Sequence, residues 1–197
     1  MSYRERLAGA ARRHGVADGA ARLEQFVALF ERWNGKINLS AARTAEDIAG
    51  HVVDSLALAP HLPAAGAVVD VGTGGGFPAL IIAIARPALR IRCVEPIHKK
   101  TAFLSTAARE LGLDGVEIVT RRVTSELDHG FDVAMSRATF DLAAWLALGS
   151  TLVKPGGLVV GMEGRDQVEL GPGDTRHPYS HEDRQRAIIL RRVPLDT

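Results

Sequence analysis

The residues of this chain that are best placed to do chemistry form a glycine-rich turn. It follows the apolar segment 67–71 and has glycines at Gly72, Gly74 and Gly76. Glycine lets a backbone turn sharply and approach a ligand closely. In open α/β sheets the ligand lies beyond the carboxyl ends of the strands, where this turn falls. The turn predicts a site for a nucleotide-like ligand, although a tight strand-to-helix turn without a ligand would have the same pattern.

Two carboxylates near the turn narrow the choice of ligand. Asp70 lies inside the apolar segment, and a buried charge without a partner is costly, so it requires a cation or hydrogen bonds. The ammonium group of S-adenosylmethionine would supply a cation, and hydrogen bonds from the loop amides are the alternative. Glu95 ends the next predicted strand, where a carboxylate can accept hydrogen bonds from both hydroxyls of a ribose. Together the two carboxylates favour S-adenosylmethionine.

Two other nucleotide-binding classes fit the turn less well. A nicotinamide dehydrogenase is the rival, because the segment from Gly74 to Ala79 matches the loose pattern G-x-G-x-x-A. That match starts late relative to the strand, and Phe77 and Pro78 occupy positions where helix amides should face a pyrophosphate. A phosphate-binding P-loop is excluded because no G-K-[ST] follows. A later turn, Lys154-Pro155-Gly156-Gly157, has a layout common in methyltransferases.

The elements that would position the turn follow an α/β pattern. Strands alternate with helices along the sequence, which predicts a mainly parallel sheet with helices on both faces. The expected fold is therefore α/β and Rossmann-like, as in class I methyltransferases. A last strand follows the Gly/Pro-rich segment 171–173, which would fit an antiparallel edge hairpin. The predicted strands are 67–71, 89–94, 116–119, 131–135, 157–162 and 187–193, and the helices between them are 78–86, 98–111 and 141–152.

The first 60 or so residues have only helical signals. A short helix is predicted over 3–14, and Asp18 is the expected N-cap of a second helix that ends at Gly35. Thr44 is the expected N-cap of a third helix, with Asp47 three residues on. We therefore expect a helical extension over residues 1–64, packed on an S-adenosylmethionine-binding domain over residues 65–197. The two would form one structural unit.

Composition sets limits on the class of protein. The chain has 197 residues, of which 46% are hydrophobic, and this suits one globular domain. The single cysteine, Cys93, excludes an internal disulfide, and the seven histidines show no ligand spacing, so no metal is expected. No segment reaches the roughly 18 apolar residues that span a bilayer, so we expect a cytoplasmic protein without a membrane partner. A net charge of +1 permits only local basic patches for nucleic acid.

Several sequence blocks on either side of the turn resemble one family of methyltransferases. Two precede the turn: Trp33-Asn34-x-x-x-Asn38-Leu39-Ser40 and His51-x-x-Asp54-Ser55-Leu56. Three follow it: Lys99-Lys100-x-x-Phe103-Leu104, Glu110-Leu111-Gly112-Leu113 and Ser136-Arg137-Ala138. From about Phe26 to Gly164 the chain resembles the bacterial 16S rRNA guanine-N7 methyltransferase family, RsmG or GidB.

The resemblance implies an rRNA-processing transferase that uses S-adenosyl-L-methionine to methylate N7 of a specific guanine. The partner would be 16S rRNA or the small ribosomal subunit, and the enzyme would be a monomer. The implied cofactor contacts are Gly72, Phe77, Val123, Thr124 and Arg137, with Val123 and Thr124 near the adenine. Guanine N7 has a free lone pair at neutral pH, so no catalytic residue is expected. Arg137, which would face the methyl-transfer centre, is the nearest candidate.

The chain also departs from this family. Thr124 stands where an acidic residue is common, so a backbone contact with the adenine is expected. Glu163 stands where lysine is usual, which would reverse a charge near the RNA, and the segment after Gly164 looks short. Two alternatives therefore stay open: a diverged enzyme that methylates another RNA or a small molecule, and a non-catalytic S-adenosylmethionine- or RNA-binding module. The candidate RNA-backbone contacts are Arg12, Arg13, Lys36, Arg43, Lys99, Lys100, Arg121 and Arg122.

Overall fold

A computed structural model describes residues 1–123, 129–137, 140–164 and 167–195. One sheet runs through the molecule. Its strands are β1 (Gly66–Val71), β2 (Leu89–Val94), β3 (Val116–Val119), β4 (Phe131–Ser136), β5 (Val153–Glu163), β6 (Asp174–His181) and β7 (Arg184–Arg192).

The strands lie in the order β3-β2-β1-β4-β5-β7-β6. The pairs from β3 to β5 are parallel, whereas β7 runs antiparallel to both β5 and β6. The Rossmann-like fold is thus confirmed, and so is an antiparallel hairpin at the sheet edge, although only its second strand was located from the sequence. Strand β6 has no apolar alternation to reveal it, and Pro178 within it is tolerated because the strand lies at the sheet edge.

The helices are α1 (Tyr3–Arg13), α2 (Ala20–Ile37), α3 (Ala45–Leu56), α4 (Ala79–Ala85), α5 (His98–Glu110) and α6 (Leu142–Leu152). Thr44 caps α3 in a capping box with Asp47, as predicted. The prediction of Asp18 as an N-cap is wrong, because Ala17–Gly19 form a 3-10 turn and α2 follows directly. Gly35 does not end α2, which continues to Ile37 and stops where Asn38 turns left-handed at φ 52°.

The strand β5 begins earlier than predicted, at Val153 rather than Gly157. Its pairing with β4 is interrupted there, because Phe131 pairs with Val153 and the next paired residues are Val133 and Leu158. The segment 154–157 is therefore a bulge, with Gly156 at φ 76°. The predicted turn at 154–157 is therefore present, but it lies inside β5 and not before it.

The helices α1–α3 share one hydrophobic core with the sheet and with α4 and α5. At its centre Phe26, Phe30, Phe77 and Phe103 pack with ring centroids 5.2–6.3 Å apart. Tilted and edge-on contacts of this kind add to the free energy of burial. The N-terminal helices are therefore fixed against the loop that carries Phe77. The division at residue 64 stays a prediction.

Within the described ranges no helix is both long and apolar enough to cross a membrane. Among the described residues no group of three or more His, Cys, Asp or Glu side chains is arranged to hold a metal ion.

Candidate cofactor site at the carboxyl edge of the sheet

The glycine turn follows the carboxyl end of β1 and is hydrogen-bonded to the carboxyl end of β2. The amide of Gly72 donates a hydrogen bond to the carbonyl of Val94, with a distance of 2.8 Å between nitrogen and oxygen. Gly72, Gly74 and Gly76 have φ values of 73°, 60° and 91°, a region that side chains other than glycine rarely adopt. The glycine pattern is therefore a conformational requirement, as predicted.

Gly75, the remaining glycine of the turn, is required by packing. A Cβ added there would lie 2.5 Å from Cε2 of Phe30, on α2. The same added Cβ would lie 3.7 Å from the Cβ of Leu39, just beyond α2. The end of α2 therefore supports the turn from outside, and it brings the residues around Leu39 to the carboxyl edge of the sheet.

Glu95 holds the turn from the side of β2. Its carboxylate accepts hydrogen bonds from the amide of Gly74 (2.9 Å, to Oε2) and from the amide of Ile97 (3.0 Å, to Oε1). Only 3% of the residue is exposed. Each carboxylate oxygen has a second lone pair that a ribose hydroxyl could use. The structure thus adds a loop-stabilising role, and the ribose contact stays a prediction.

Asp70 is completely buried in β1, and neither of its carboxylate oxygens has a hydrogen-bond partner among the described residues. No loop amide makes a hydrogen bond of normal geometry to either oxygen, which was the alternative explanation for this charge. Burial raises the pKa of Asp70 to about 7, although the Thr73 hydroxyl, the positive charge of Arg137 and the amide of Ala79 oppose the shift. A buried, unpartnered carboxylate beside a glycine turn fits a ligand that carries a cation, such as the ammonium group of S-adenosylmethionine.

Arg137 follows β4 and lies at the same edge. Its Cζ is 5.0 Å from the centre of the Phe77 ring, which places a guanidinium over an aromatic face. Its Nη1 lies 3.3 Å from Oδ2 of Asp54, and burial lowers the pKa of Arg137 while Asp54 opposes the shift. The hydroxyl of Ser136 donates to the carbonyl of Val71 (2.8 Å), which ties the ends of β4 and β1 together. Phe77 and Arg137, both predicted cofactor contacts, are therefore neighbours.

Asp54, on α3, belongs to this site although the sequence reasoning gave it no role. Its Oδ1 accepts a hydrogen bond from the hydroxyl of Tyr179 (2.7 Å), and its Oδ2 accepts one from Nη1 of Arg186 (2.8 Å). The block His51-x-x-Asp54 was a signal for this residue, because a carboxylate on the buried face of a helix needs partners. No sequence signal identified the two partners, which lie in the polar C-terminal hairpin.

The predicted adenine contacts are only partly described. Val123 is half-buried and packs against the hydrophobic cluster between the sheet and α6. Thr124 lies outside the described residues. The hydroxyl of Thr120 donates to that of Thr101 (3.0 Å), so the segment after β3 is attached to α5. The adenine contacts of Val123 and Thr124 stay predictions.

The expectation that Glu163 presents a negative charge to RNA is wrong. Glu163 is only 4% exposed, and both of its carboxylate oxygens accept hydrogen bonds from the guanidinium of Arg176 at 2.9 Å. One oxygen also accepts from the amide of Val168 (2.9 Å). The charge of Glu163 is neutralised by Arg176, which lies on β6, a strand that the sequence analysis did not predict.

Six of the predicted RNA contacts form a basic rim at the carboxyl edge. Lys36 and Arg43 flank the end of α2, near Leu39. The others lie in the first turn of α5 and directly after β3. Within the described part of the chain none of the six forms an ion pair, and all except the half-buried Lys100 are exposed. The basic rim comprises Lys36, Arg43, Lys99, Lys100, Arg121 and Arg122.

The remaining two predicted RNA contacts, Arg12 and Arg13, are exposed at the end of α1 and are not part of this rim.

Solved structures of methyltransferases superpose on this chain. The putative methyltransferase yhhF from Escherichia coli superposes with a TM-score of 0.56 and 13% sequence identity, over 72% of this chain and 85% of that chain. A precorrin-6y C5,15-methyltransferase from Geobacter metallireducens superposes with a TM-score of 0.51 and 13% identity, over 78% and 90%. The fold is thus that of the Rossmann-like methyltransferases.

Sequence comparison gives the family. The model of the family described as rRNA small subunit methyltransferase G matches residues 20–184. Ribosomal RNA small subunit methyltransferase G of Myxococcus xanthus is 38% identical over 96% of this chain and 97% of the relative. Its counterpart in Burkholderia mallei is 41% identical over 76% and 69%. The chain belongs to the rRNA small subunit methyltransferase G family. This confirms the predicted family, the predicted enzyme class and S-adenosylmethionine as the methyl donor.

Proposed function

We propose that this protein transfers a methyl group from S-adenosylmethionine to N7 of one guanine in the 16S rRNA of the small ribosomal subunit. One observation carries the proposal. The carboxyl edge of the sheet combines a turn suited to a cationic nucleoside, with the unpartnered carboxylate of Asp70, and an exposed basic rim beside it. A methyl donor and an RNA backbone would therefore meet at one edge.

The cofactor would be held by residues from several strand ends. Asp70 would pair with its ammonium group, and the turn from Gly72 to Gly76 would allow close approach of the backbone. Glu95 would accept from the ribose hydroxyls, and the backbone of Val123 and Thr124 would border the adenine. Phe77 and Arg137 would enclose the reacting end. When bound, S-adenosylmethionine supplies a methyl group on a positively charged sulfur.

The reaction requires positioning rather than proton transfer. Guanine N7 carries a lone pair at neutral pH, so no general base is needed. Alignment of reacting groups can lower a barrier by roughly 7–11 kcal/mol. The carboxylates of Asp54 and Glu95 both accept hydrogen bonds from donors within the protein, which is consistent with a reaction that needs no general base. They hold the architecture of the site and do not abstract a proton.

Phe140 is a candidate platform for a base at the reacting end. It lies just beyond β4, has 39% of its surface exposed, and stacks on Trp145 with centroids 5.8 Å apart and planes 19° apart. Trp145 is itself fixed by a hydrogen bond from Nε1 to the carbonyl of Val160 (2.9 Å). Unpaired RNA bases stack on exposed aromatic rings of this kind. A splayed-out guanine would thus be supported next to Ser136 and Arg137.

The basic rim would contact the RNA backbone outside the pocket. Lysines and arginines that neutralise phosphates release counterions, so binding should weaken steeply as salt rises. Arg12 and Arg13 lie at the end of α1, outside the basic rim, so they would contact RNA only if it also reached that helix. A ribosomal substrate would place the enzyme in the cytoplasm, and a monomer would suffice because the cofactor site is built within one chain.

The direct test uses labelled S-adenosylmethionine and small ribosomal subunits that lack the modification. We expect incorporation at one guanine, mapped by chemical cleavage of the RNA at N7-methylguanine. The double variant Lys99→Gln/Lys100→Gln should bind subunits more weakly and show a smaller salt dependence. Lys154→Gln is the matched control, because Lys154 is a surface lysine paired with Asp132 at the opposite edge. It should behave as the wild type.

Three other results would contradict the proposal. Cofactor binding without any incorporation into subunits would refute rRNA methylation. Incorporation into another RNA or a small molecule would indicate a diverged enzyme. Binding of RNA and cofactor without turnover on any substrate would indicate a non-catalytic module. A thermal-shift titration with S-adenosylmethionine and NAD would test the dehydrogenase hypothesis, because the ligand that the protein prefers raises its apparent stability more.

A further inference from the structure

The carboxylate of Asp54 is held in the interior by three donors. The residue is 1% exposed, and its side chain faces donors from three separate parts of the chain. A carboxylate in this position would be strongly unfavourable without such partners. Its position is therefore fixed by the geometry of the donors around it.

The C-terminal hairpin supplies two of these donors as a unit. Tyr179 on β6 and Arg186 on β7 are direct cross-strand neighbours, so their side chains leave the same face of the hairpin. One hydrogen-bonds to each oxygen of Asp54. One helical turn earlier on α3, a Cβ added at Gly50 would lie 2.5 Å from Oε1 of Glu182, which belongs to the hairpin turn. The hairpin thus lies directly against the face of α3 that carries Asp54.

The third donor is Arg137, which lies between this carboxylate and the cofactor turn. Its Nη1 lies 3.3 Å from Oδ2 of Asp54, the oxygen that also accepts from Arg186. Its guanidinium also lies over the ring of Phe77, at the end of the glycine turn. Only 17% of the Arg137 side chain is exposed. A long, flexible side chain is therefore restrained by a carboxylate and an aromatic ring.

We propose that Asp54 is a positioning residue, which holds the Arg137 guanidinium in the orientation that the cofactor requires and makes no contact with the cofactor itself. The proposal rests on the proposed function, because it takes Arg137 to be a cofactor contact. Asp54 would act together with Tyr179 and Arg186, so the C-terminal hairpin would indirectly set cofactor affinity. Removing the charge of Asp54 should weaken cofactor binding because Arg137 is no longer held in place, although Asp54 itself does not contact the cofactor.

Calorimetric titration with S-adenosylhomocysteine, the demethylated cofactor, tests this without RNA or turnover. Asp54→Asn keeps the shape of the side chain but removes its charge, and we expect about tenfold weaker binding, as for the loss of a charged hydrogen bond. Asp174→Asn is the matched control, because Asp174 is also a buried hairpin carboxylate, paired with Arg191 at 2.7 Å and 2.8 Å. It should lower stability but leave the affinity unchanged.

A double variant separates positioning from a general structural effect. If Asp54 acts through Arg137, Asp54→Asn/Arg137→Gln should bind no more weakly than Arg137→Gln alone. Additive losses would overturn the proposal, as would wild-type affinity in Asp54→Asn. Should Asp54→Asn fail to fold, Tyr179→Phe decides the question. It removes one hydroxyl, should weaken binding about threefold, and would overturn the proposal if it bound like the wild type.

Failure of the wild-type protein to bind S-adenosylhomocysteine would give a different result. It would refute the proposed function itself, and the positioning role would fall with it.

Discussion

Replacing Asp70 with asparagine should remove an unusual pH dependence of stability. The pKa of Asp70 is about 7 in the folded protein and 3.8 for an unperturbed aspartate. Between these values the folded protein binds more protons than the unfolded chain, so the free energy of unfolding falls as pH rises. One pH unit in this window corresponds to about 1.4 kcal/mol. From pH 5 to pH 7 the wild type should lose about 2–3 kcal/mol that the Asp70→Asn variant keeps.

Urea unfolding of both proteins at pH 5, 6, 7 and 8 measures this difference. All other titrating groups are common to the two proteins, so they largely cancel in the free energy of unfolding of the variant minus that of the wild type. This difference should increase from pH 5 to pH 7 and become constant by pH 8. A difference that is independent of pH, or one that decreases, would refute the inference that Asp70 is buried without a partner.

Cofactor binding provides the second half of this prediction. A ligand ammonium next to Asp70 favours the ionised carboxylate, so binding near pH 7 should release part of a proton. Calorimetry with S-adenosylhomocysteine in buffers of different ionisation enthalpy detects that release. Asp70→Asn should release no proton and should bind more weakly at pH 8 than the wild type. Equal proton release by the two proteins would exclude Asp70 as the group that meets the ammonium.

Three further substitutions test other parts of the structure. Gly75→Ala would place a Cβ against the ring of Phe30, and it should lower the free energy of unfolding in urea by about 1–3 kcal/mol; an unchanged midpoint would contradict this packing. Asn34→Ala leaves the amide of Ser40 and the carbonyl of Ala42 without their side-chain partner, so the same measurement should show a loss of about 1–3 kcal/mol. Glu163→Gln should destabilise the protein because Arg176 loses its ion pair, yet leave RNA affinity in filter binding unchanged; tighter RNA binding would show that Glu163 does repel RNA.

The sheet and the glycine turn could be predicted because their signals are local. Segment 67–71 is a short apolar run that ends directly in glycines, and the glycines are needed for left-handed backbone conformations. The capping box at Thr44 is equally local. The start of α2 was missed because Asp18 is a good capping residue by type, whereas the actual N-cap, Gly19, makes no side-chain cap. Residue type alone cannot distinguish these two.

The rest of the site depended on contacts between distant segments. Strand β6 is polar, alternates weakly and contains Pro178, so no local pattern revealed it. Its absence from the predicted fold led directly to the error about Glu163, whose partner Arg176 lies on that strand. The partners of Asp54 were hidden for the same reason, since Tyr179 is also on β6.

The long sequence separation of the contacts to Asp54 also dictates when the site can be completed during synthesis. Arg186 lies 132 residues after Asp54. At the usual ribosomal rate of about 5–20 residues per second, α3 leaves the ribosome roughly 7–26 s before that partner. Until then Asp54 has no hairpin donor, so its burial in the core would be less favourable than in the completed fold. If Asp54 positions Arg137, the nascent chain should therefore gain its full cofactor affinity only after the hairpin has been synthesised.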